Sequence, residues 1–143
     1  MTGSNVMDAE RAFTRVARAR RRAAVVRTLR RHPAVCGRLV VFDERRWRRR
    51  ATPRTGVREI PVTAIAGTVE PSRADLFDSD FRPRSGARSR WQRVWLAEHR
   101  GAVLPPISVV PVGNGYAVRD GHHRVSVARA RGALTIDAMI DAA

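Results

Sequence analysis

The sequence predicts an α/β protein, in which a compact domain with a small mixed sheet and flanking helices follows an Arg-rich N-terminal helix and a linker. Three observations lead to this prediction. Apolar residues recur at helical spacing in three segments, 8–31, 90–99 and 125–131. Alternating apolar runs typical of strands occur at 60–65, 105–110, 115–119 and 136–140. The basic residues are concentrated in the first part of the chain.

Charge divides the chain near residue 58. The 143 residues include 28 basic and 13 acidic side chains, and every basic residue is arginine. Residues 1–58 hold 17 arginines against four acidic residues, whereas residues 59–143 hold 11 against nine. Such asymmetry is typical of an arm that contacts a polyanion. We therefore predict a basic helix and linker over 1–58 and a compact domain over 59–143.

Composition argues against several classes of protein. An apolar fraction of 43% is ordinary for a globular protein. No apolar run approaches the ~20 residues that cross a bilayer, and no export signal is apparent. The single cysteine, Cys36, rules out an internal disulfide and a cysteine-based metal cluster. The sequence predicts a cytoplasmic protein without a membrane partner, and it leaves a homodimer open.

The N-terminal helix is predicted over 8–31, with Asp8 as its N-cap and Pro33 beyond its end. Phe13 and other apolar residues lie on one side. Four arginines share the other side: Arg11, Arg15, Arg18 and Arg22. This face is either a surface that follows the phosphates of a nucleic acid or the solvated side of an amphipathic helix.

A mobile basic linker is predicted over 45–58, after an apolar run at 39–42 that reads as an added strand or a tether. Trp47 either stacks on a base or packs against the protein. The predicted nucleic-acid contacts of the linker are Arg48, Arg49 and Arg50.

The compact domain begins with a strand at 60–65 and a loop at 67–73. Ser89 is predicted to cap a helix over 90–99 whose buried stripe comprises Trp91, Val94 and Trp95. A strand at 105–110 follows. A turn at 113–115 then leads into the strand at 115–119. A last helix after Arg124 ends at Gly132, and a short strand at 136–140 closes the domain.

The most informative stretch is Asp-Gly-His-His-Arg at 120–124, which joins a strand to a helix. Helix-initial amides are unpaired and lie at the positive end of the helix dipole, where phosphate or carboxylate binds readily. His122, His123 and Arg124 add side-chain donors. In the alternative, structural interpretation, Asp120 caps the helix, Gly121 supplies a positive φ and Arg124 pairs with a surface carboxylate.

Taken in order, these segments resemble the ParB/sulfiredoxin superfamily. The resemblance covers roughly 59–141 and rests on 60–73 as a first box, a leading strand from Leu104, the Gly-His-His-Arg box at 121–124 and the final strand. The Asp-Gly-His-His-Arg box is also similar to that of short actinobacterial-type ParB-like chains. The resemblance implies a small α/β fold with a phosphate pocket.

In this family, the box grips a nucleotide phosphate. The resemblance therefore implies CTP, ATP or ADP as ligand, with Mg²⁺ as a candidate companion. The implied phosphate contacts are Arg73 and the box residues Gly121, His122, His123 and Arg124. Glu70 and Asp120 become candidate carboxylates for the metal or for a general base.

The sequence differs from the family at positions that particular activities of the family require. Sulfiredoxins use a cysteine inside the box, whereas this box holds His122 and His123 and Cys36 lies far outside it. The chain ends soon after Gly132, so we expect no helix-turn-helix domain of the partition proteins. A metal site built from Asp120 and the two histidines is disfavoured because successive helical residues diverge by ~100°.

Three functions remain open. The first is a nucleotide- or phosphate-binding module whose basic arm rests on nucleic acid, acting as a DNA-associated regulator or accessory factor. The alternative is a small-molecule phosphotransferase, similar to a free-serine kinase, or a nuclease, with Glu70 as base and Asp120 on the metal. The third is an interaction module without a ligand. The charge asymmetry favours the first.

Overall fold

A computed structural model describes residues 2–30, 37–48 and 56–141. The helices within these ranges are α1 (Thr2–Leu29), α2 (Glu44–Arg48), α3 (Arg88–His99) and α4 (His122–Ala130). The strands are β1 (Val40–Val41), β2 (Gly56–Pro61), β3 (Ile65–Thr68), β4 (Ile107–Val112), β5 (Gly115–Asp120) and β6 (Thr135–Ile140). Short 3₁₀ turns occur at Val62–Ala64, Pro71–Leu76 and Ser85–Ala87.

The six strands form one mixed sheet in the order β1-β3-β5-β4-β6-β2. β3 is parallel to both β1 and β5, and β4 is parallel to β6. The β4–β5 hairpin and the β2–β6 pair are antiparallel. The predicted α/β class, with a small mixed sheet and flanking helices, is therefore confirmed.

Apolar side chains cover both faces of the sheet. One cluster joins Val109 and Val118 of the sheet to Val125 of α4 and to Phe77 and Phe81 of the intervening loop. A second cluster covers the opposite face. There, Val110, Val112 and Ala117 of β4 and β5 pack against Phe42 and Trp47. The ring centroids of Phe42 and Trp47 lie 6.5 Å apart, so Trp47 packs against the protein, as one of the two interpretations held.

The strand predicted at 60–65 is two strands. β2 ends at Pro61, the 3₁₀ turn Val62–Ala64 follows, and β3 begins at Ile65. β2 pairs with β6 at one edge of the sheet, whereas β3 pairs with β5 on the other side of β4, so the turn carries the chain across the sheet. Ile60 and Val62 are buried in alternation, and the 3₁₀ turn then moves the next buried position to Ile65.

The N-terminal helix begins earlier than predicted. α1 starts at Thr2, so Asp8 lies inside the helix and is not its N-cap. Its carboxylate instead faces Arg11 one turn later, with Oδ1 3.8 Å from Nη1. Exposed pairs of this kind contribute little to stability. The wrong start has a physical reason, since residues 2–7 carry no strong helix breaker other than Gly3.

α1 packs on α3 as part of the compact unit. Phe13 is buried, and its ring meets that of Trp91 edge to face, with 5.5 Å between centroids. Val127 of α4 joins them in one cluster. The boundary predicted between 58 and 59 also falls inside β2. Within the described part of the chain, that boundary does not separate two packing units.

The linker predicted over 45–58 is structured at both ends. α2 holds residues 44–48 against the sheet through Trp47, and β2 pairs from Gly56 onward with β6. The residues between them lie outside the described part of the structure, as do Arg49, Arg50 and the side chain of Arg48. The run at 39–42 contains the short edge strand β1, as one of its two interpretations held.

α3 begins at Arg88, so Ser89 lies in the first turn and does not cap the helix. Trp91 is fully buried, as predicted, whereas Val94 and Trp95 are only half-buried. No helix in the described ranges has the length and apolar character that a membrane span needs.

Candidate anion-binding site

The site is built on the turn between β5 and α4, where Gly121 is the residue between them. Its φ of 103° lies in the left-handed region that glycine tolerates best. A Cβ placed on Gly121 would lie only 2.5 Å from Ile107 Cγ2. Gly121 therefore lets the chain reverse while its backbone presses against the start of β4, and its φ is positive, as the alternative structural interpretation held.

The first turn of α4 has no side-chain cap. Its first backbone hydrogen bond runs from the Val125 N–H to Gly121 O, at 3.1 Å. The amides of His122, His123 and Arg124 therefore have no acceptor within the helix. Asp120 does not cap the helix, contrary to the alternative structural interpretation, and its carboxylate instead lies against Arg124.

A cavity of about 270 Å³ opens at this turn. Its lining comprises Arg73, Arg90, Val94, Asp120, Gly121, His122, His123 and Arg124. The fold thus brings Arg73, from the 3₁₀ turn Pro71–Leu76, to the box 50 residues later, together with the unpredicted Arg90 of α3. Three guanidinium groups and one carboxylate line the cavity, which gives it a net positive charge.

Arg124 fixes the turn in place. Its Nη1 donates to Pro105 O and, at 3.0 Å, to Pro106 O, while Nη2 lies 3.2 Å from Asp120 Oδ2. The side chain is 17% exposed, and that of Asp120 is 82% exposed. Arg124 thus pairs with Asp120, as the structural interpretation held, and this pair leaves Arg73 and Arg90 as the unbalanced cations of the cavity.

His122 is buried and joins α4 to β3. Its Nε2 lies 2.6 Å from Thr68 Oγ1, which also lies 3.1 Å from Val118 O and accepts the Glu70 N–H at 2.9 Å. One nitrogen of the ring is therefore committed to the fold. His122 lines the cavity, but the contact with Thr68 gives it a positioning role.

His123 is only 7% exposed and lines the same cavity. Its ring meets that of Phe77 edge to face, at 5.2 Å between centroids. Among residues 2–30, 37–48 and 56–141, no hydrogen bond is made by either of its ring nitrogens. Neither nitrogen is among the solvent-inaccessible atoms that lack a partner, so both are open to the cavity, where His123 can donate to or accept from a ligand.

Both imidazoles are neutral near pH 7. Burial, and next the charge of Arg73, lowers the pKa of His122 to about 4. Burial, and next the charge of Arg90, lowers the pKa of His123 to about 4. The positive charge of the cavity therefore comes from the guanidinium groups, and the histidines contribute neutral hydrogen-bonding groups.

The two candidate catalytic carboxylates have different positions. Asp120 lines the cavity, whereas Glu70 does not. Glu70 precedes the 3₁₀ turn Pro71–Leu76 and is held by its backbone N–H on Thr68. In the described part of the chain, no group of three His, Cys, Asp or Glu side chains is placed to hold a metal ion.

Arg90 is the residue that sequence reasoning missed. The first turn of α3 contains Arg88 and Arg90 and no acidic residue. Cations near the positive end of a helix dipole are unfavourable unless an anion compensates them. That local conflict is the signal in the sequence that points to an anion near the start of α3.

A second basic surface lies on α1, and we call it the α1 arginine face. Its members are all exposed and line one groove: Arg11, Arg15, Arg18 and Arg22. The opposite side of the helix buries Ala9, Phe13 and Ala17. The predicted separation of a basic and an apolar side is confirmed, and its use by nucleic acid stays a prediction.

Comparisons with known proteins give a similarity in structure and none in sequence family. No protein-family model matches the sequence, and no curated protein matches it. The structure is similar to that of sulfiredoxin from Arabidopsis thaliana, with a TM-score of 0.45 and 22% identity, over 62% of this chain and 86% of that chain. At this level of similarity, the likeness says nothing about the activity of this chain.

Proposed function

We propose that the protein is a phosphate-binding module that responds to a nucleotide and contacts nucleic acid through the α1 arginine face. One observation carries the first half of the proposal. Arg73 and Arg90 converge on the N-terminus of α4, which has no side-chain cap, beside the imidazole of His123. Groups from three separate parts of the chain thus meet in one cavity with a positive charge.

The chemistry of these groups suits a phosphate. Arginine binds phosphate oxygens through paired N–H donors, and helix-initial amides add donors at the positive end of the dipole. The cavity, at about 270 Å³, is smaller than pockets that enclose a drug-sized ligand. It therefore suits one or two phosphate groups, with the sugar and base of a nucleotide lying outside it.

The identity of the nucleotide comes from the family resemblance, which suggests CTP, ATP or ADP. Mg²⁺ would accompany the phosphates, and Asp120 is the carboxylate that lines the cavity. Binding is favoured over catalysis because Glu70, the candidate base, does not line the cavity. A phosphotransferase or nuclease would need another base within hydrogen-bond reach of the reacting group.

Isothermal titration calorimetry with CTP, ATP, ADP, GTP and pyrophosphate, each with and without Mg²⁺, tests the phosphate site. We expect Arg73→Gln and Arg90→Gln each to weaken binding by about tenfold or more, because each removes a charge-assisted contact. Arg100→Gln is the matched control, since Arg100 is exposed at the end of α3 and does not line the cavity. No binding by any of the five compounds overturns the proposal.

The second half of the proposal rests on charge and exposure. The four arginines of the α1 arginine face are exposed, and only Arg11 lies within 4 Å of a carboxylate in the described residues, at 3.8 Å from Asp8. Unpaired surface cations in a row attract a polyanion and release its counterions. A variant with all four changed to Gln should bind nucleic acid far more weakly, and with a shallower salt dependence. The phosphate site should be unaffected in that variant.

A further inference from the structure

A cleft of about 590 Å³ lies between α1, α3 and the end of α4, on a different surface from the phosphate cavity. The two cavities share no lining residue. The polar and aromatic lining residues of the cleft are Asp8, Arg11, Arg15, Trp95, His99 and Arg131. It therefore combines three arginines, one carboxylate and two aromatic rings, and its chemistry differs from that of an ordinary helix–helix groove.

The two aromatic rings of the cleft, those of Trp95 and His99, are stacked on each other. Trp95 and His99 are one helical turn apart on α3, and their rings lie 4.6 Å apart at an interplanar angle of 16°. The guanidinium of Arg131 lies 5.4 Å from the Trp95 ring centroid. His99 is exposed and lines the cleft, so the stack ends in a residue that solvent reaches. An exposed ring in this orientation can extend the stack by one further flat group.

The cleft is continuous with the α1 arginine face. Arg11 and Arg15 line both the cleft and the groove that continues to Arg18 and Arg22. By the rise of an α-helix, the row from Arg11 to Arg22 spans roughly 16 Å. A nucleic-acid backbone whose phosphates contact this row would therefore also lie beside the stacked rings of Trp95 and His99.

We infer that the cleft receives an unpaired base, so that the nucleic acid bound by this protein is single-stranded. The base stacks on His99, and the neighbouring phosphates lie along Arg11, Arg15 and the rest of the α1 arginine face. This rests on the nucleic-acid half of the proposed function and names its partner. Aromatic rings and arginines in one groove are the usual platform for single strands.

A duplex fits this arrangement poorly. Its bases are stacked on one another and paired, so that none can reach the ring of His99 unless it is first unpaired and extruded, which is unfavourable. A duplex can still touch the exposed arginines through its phosphates. The inference therefore predicts that the arginines act on both forms of nucleic acid and that His99 acts on single strands alone.

Fluorescence anisotropy with the full chain tests this. The probes are a labelled oligo-dT and oligo-U of about 20 nucleotides and a hairpin duplex of matched phosphate number, each at two salt concentrations. We expect His99→Ala to weaken binding of the single strands by about fivefold to a hundredfold, the usual effect of losing one stacking ring, and to leave the duplex unchanged. Arg131→Gln is a second variant, which leaves both aromatic rings in place.

Arg58→Gln is the matched control, because Arg58 is exposed on β2 and lines neither the cleft nor the groove. Thermal melting verifies that each variant is folded. Changing the four arginines of α1 to Gln should reduce the single-strand salt slope by about 3.

The possible results distinguish failure of the single-strand inference from failure of the proposed nucleic-acid contact through the α1 arginine face. If single strands and duplex bind alike and His99→Ala changes neither, the inference is overturned while the α1 contact stands. If the wild-type chain binds no probe at low salt, both are overturned. A selective loss of single-strand binding in His99→Ala supports both.

Discussion

His122 joins the first turn of α4 to β3, with its Nε2 2.6 Å from Thr68 Oγ1. Thr68 is fully buried, and its hydroxyl also accepts the N–H of Glu70. One hydroxyl thus positions both the helix that carries the box and the segment that leads to Arg73. The two walls of the phosphate cavity are therefore held in register by a single hydrogen-bonding group.

Replacement of Thr68 by Val should destabilise the fold by roughly 2–4 kcal/mol, because the His122 ring and the Glu70 N–H lose a buried partner. Thr68→Ser, which keeps the hydroxyl, should cost only about 1 kcal/mol for the lost methyl group. Urea denaturation followed by circular dichroism measures both. Equal losses in the two variants would show that packing, not the hydroxyl, matters at this position.

Stability should fall as the pH is lowered from about 6.5 to about 4. His122 and His123 have a pKa of about 4 in the folded protein, against the ordinary value of 6.5 for histidine, so the unfolded chain binds more protons in this window. The contribution is fully present above pH 6.5 and is at most about 3 kcal/mol per imidazole. Urea unfolding at half-unit pH intervals measures it.

His123→Gln separates the two histidines. It removes one titrating ring and leaves the contact between His122 and Thr68, so the slope between pH 4 and 6.5 should fall by about half. A slope that is unchanged in this variant would mean that His123 is solvated in the folded protein. The wild-type chain and the variant are compared at the same ionic strength.

The sequence predicted the local parts of the site and missed the distant ones. The turn at Gly121 was predictable because a strand, a glycine and a helix start follow one another within a few residues. Arg73 was placed by resemblance. Arg90 and the cleft at Trp95 depend on how α3 packs against α1 and α4, which no spacing in the sequence encodes. The prediction of Asp8 as the N-cap is wrong because the helix propensity of individual residues does not determine where a helix begins.

A methyl group at Gly121 should be more damaging than one at Gly132. Both glycines have positive φ, 103° and 73°. A Cβ at Gly121 would also press into Ile107, whereas a Cβ at Gly132 would have no heavy atom within 4 Å beyond its chain neighbours. We expect Gly121→Ala to cost about 3 kcal/mol or more and Gly132→Ala about 1 kcal/mol. Chemical denaturation measures both. Similar costs would show that backbone conformation alone requires glycine in the β5–α4 turn.

α1 should unfold together with the sheet. Phe13 is buried against Trp91 and Val127, so Phe13→Ala should lower the free energy of unfolding by about 3–5 kcal/mol. Leu29→Ala, at the exposed end of the same helix, should change it by less than about 0.5 kcal/mol. Both variants are followed by helical ellipticity and by tryptophan fluorescence. Because α1 packs into the same core as α3 and α4, the two signals should report one transition at a shared midpoint. An early loss of ellipticity, with the fluorescence transition unmoved in Phe13→Ala, would instead make α1 a separately melting arm.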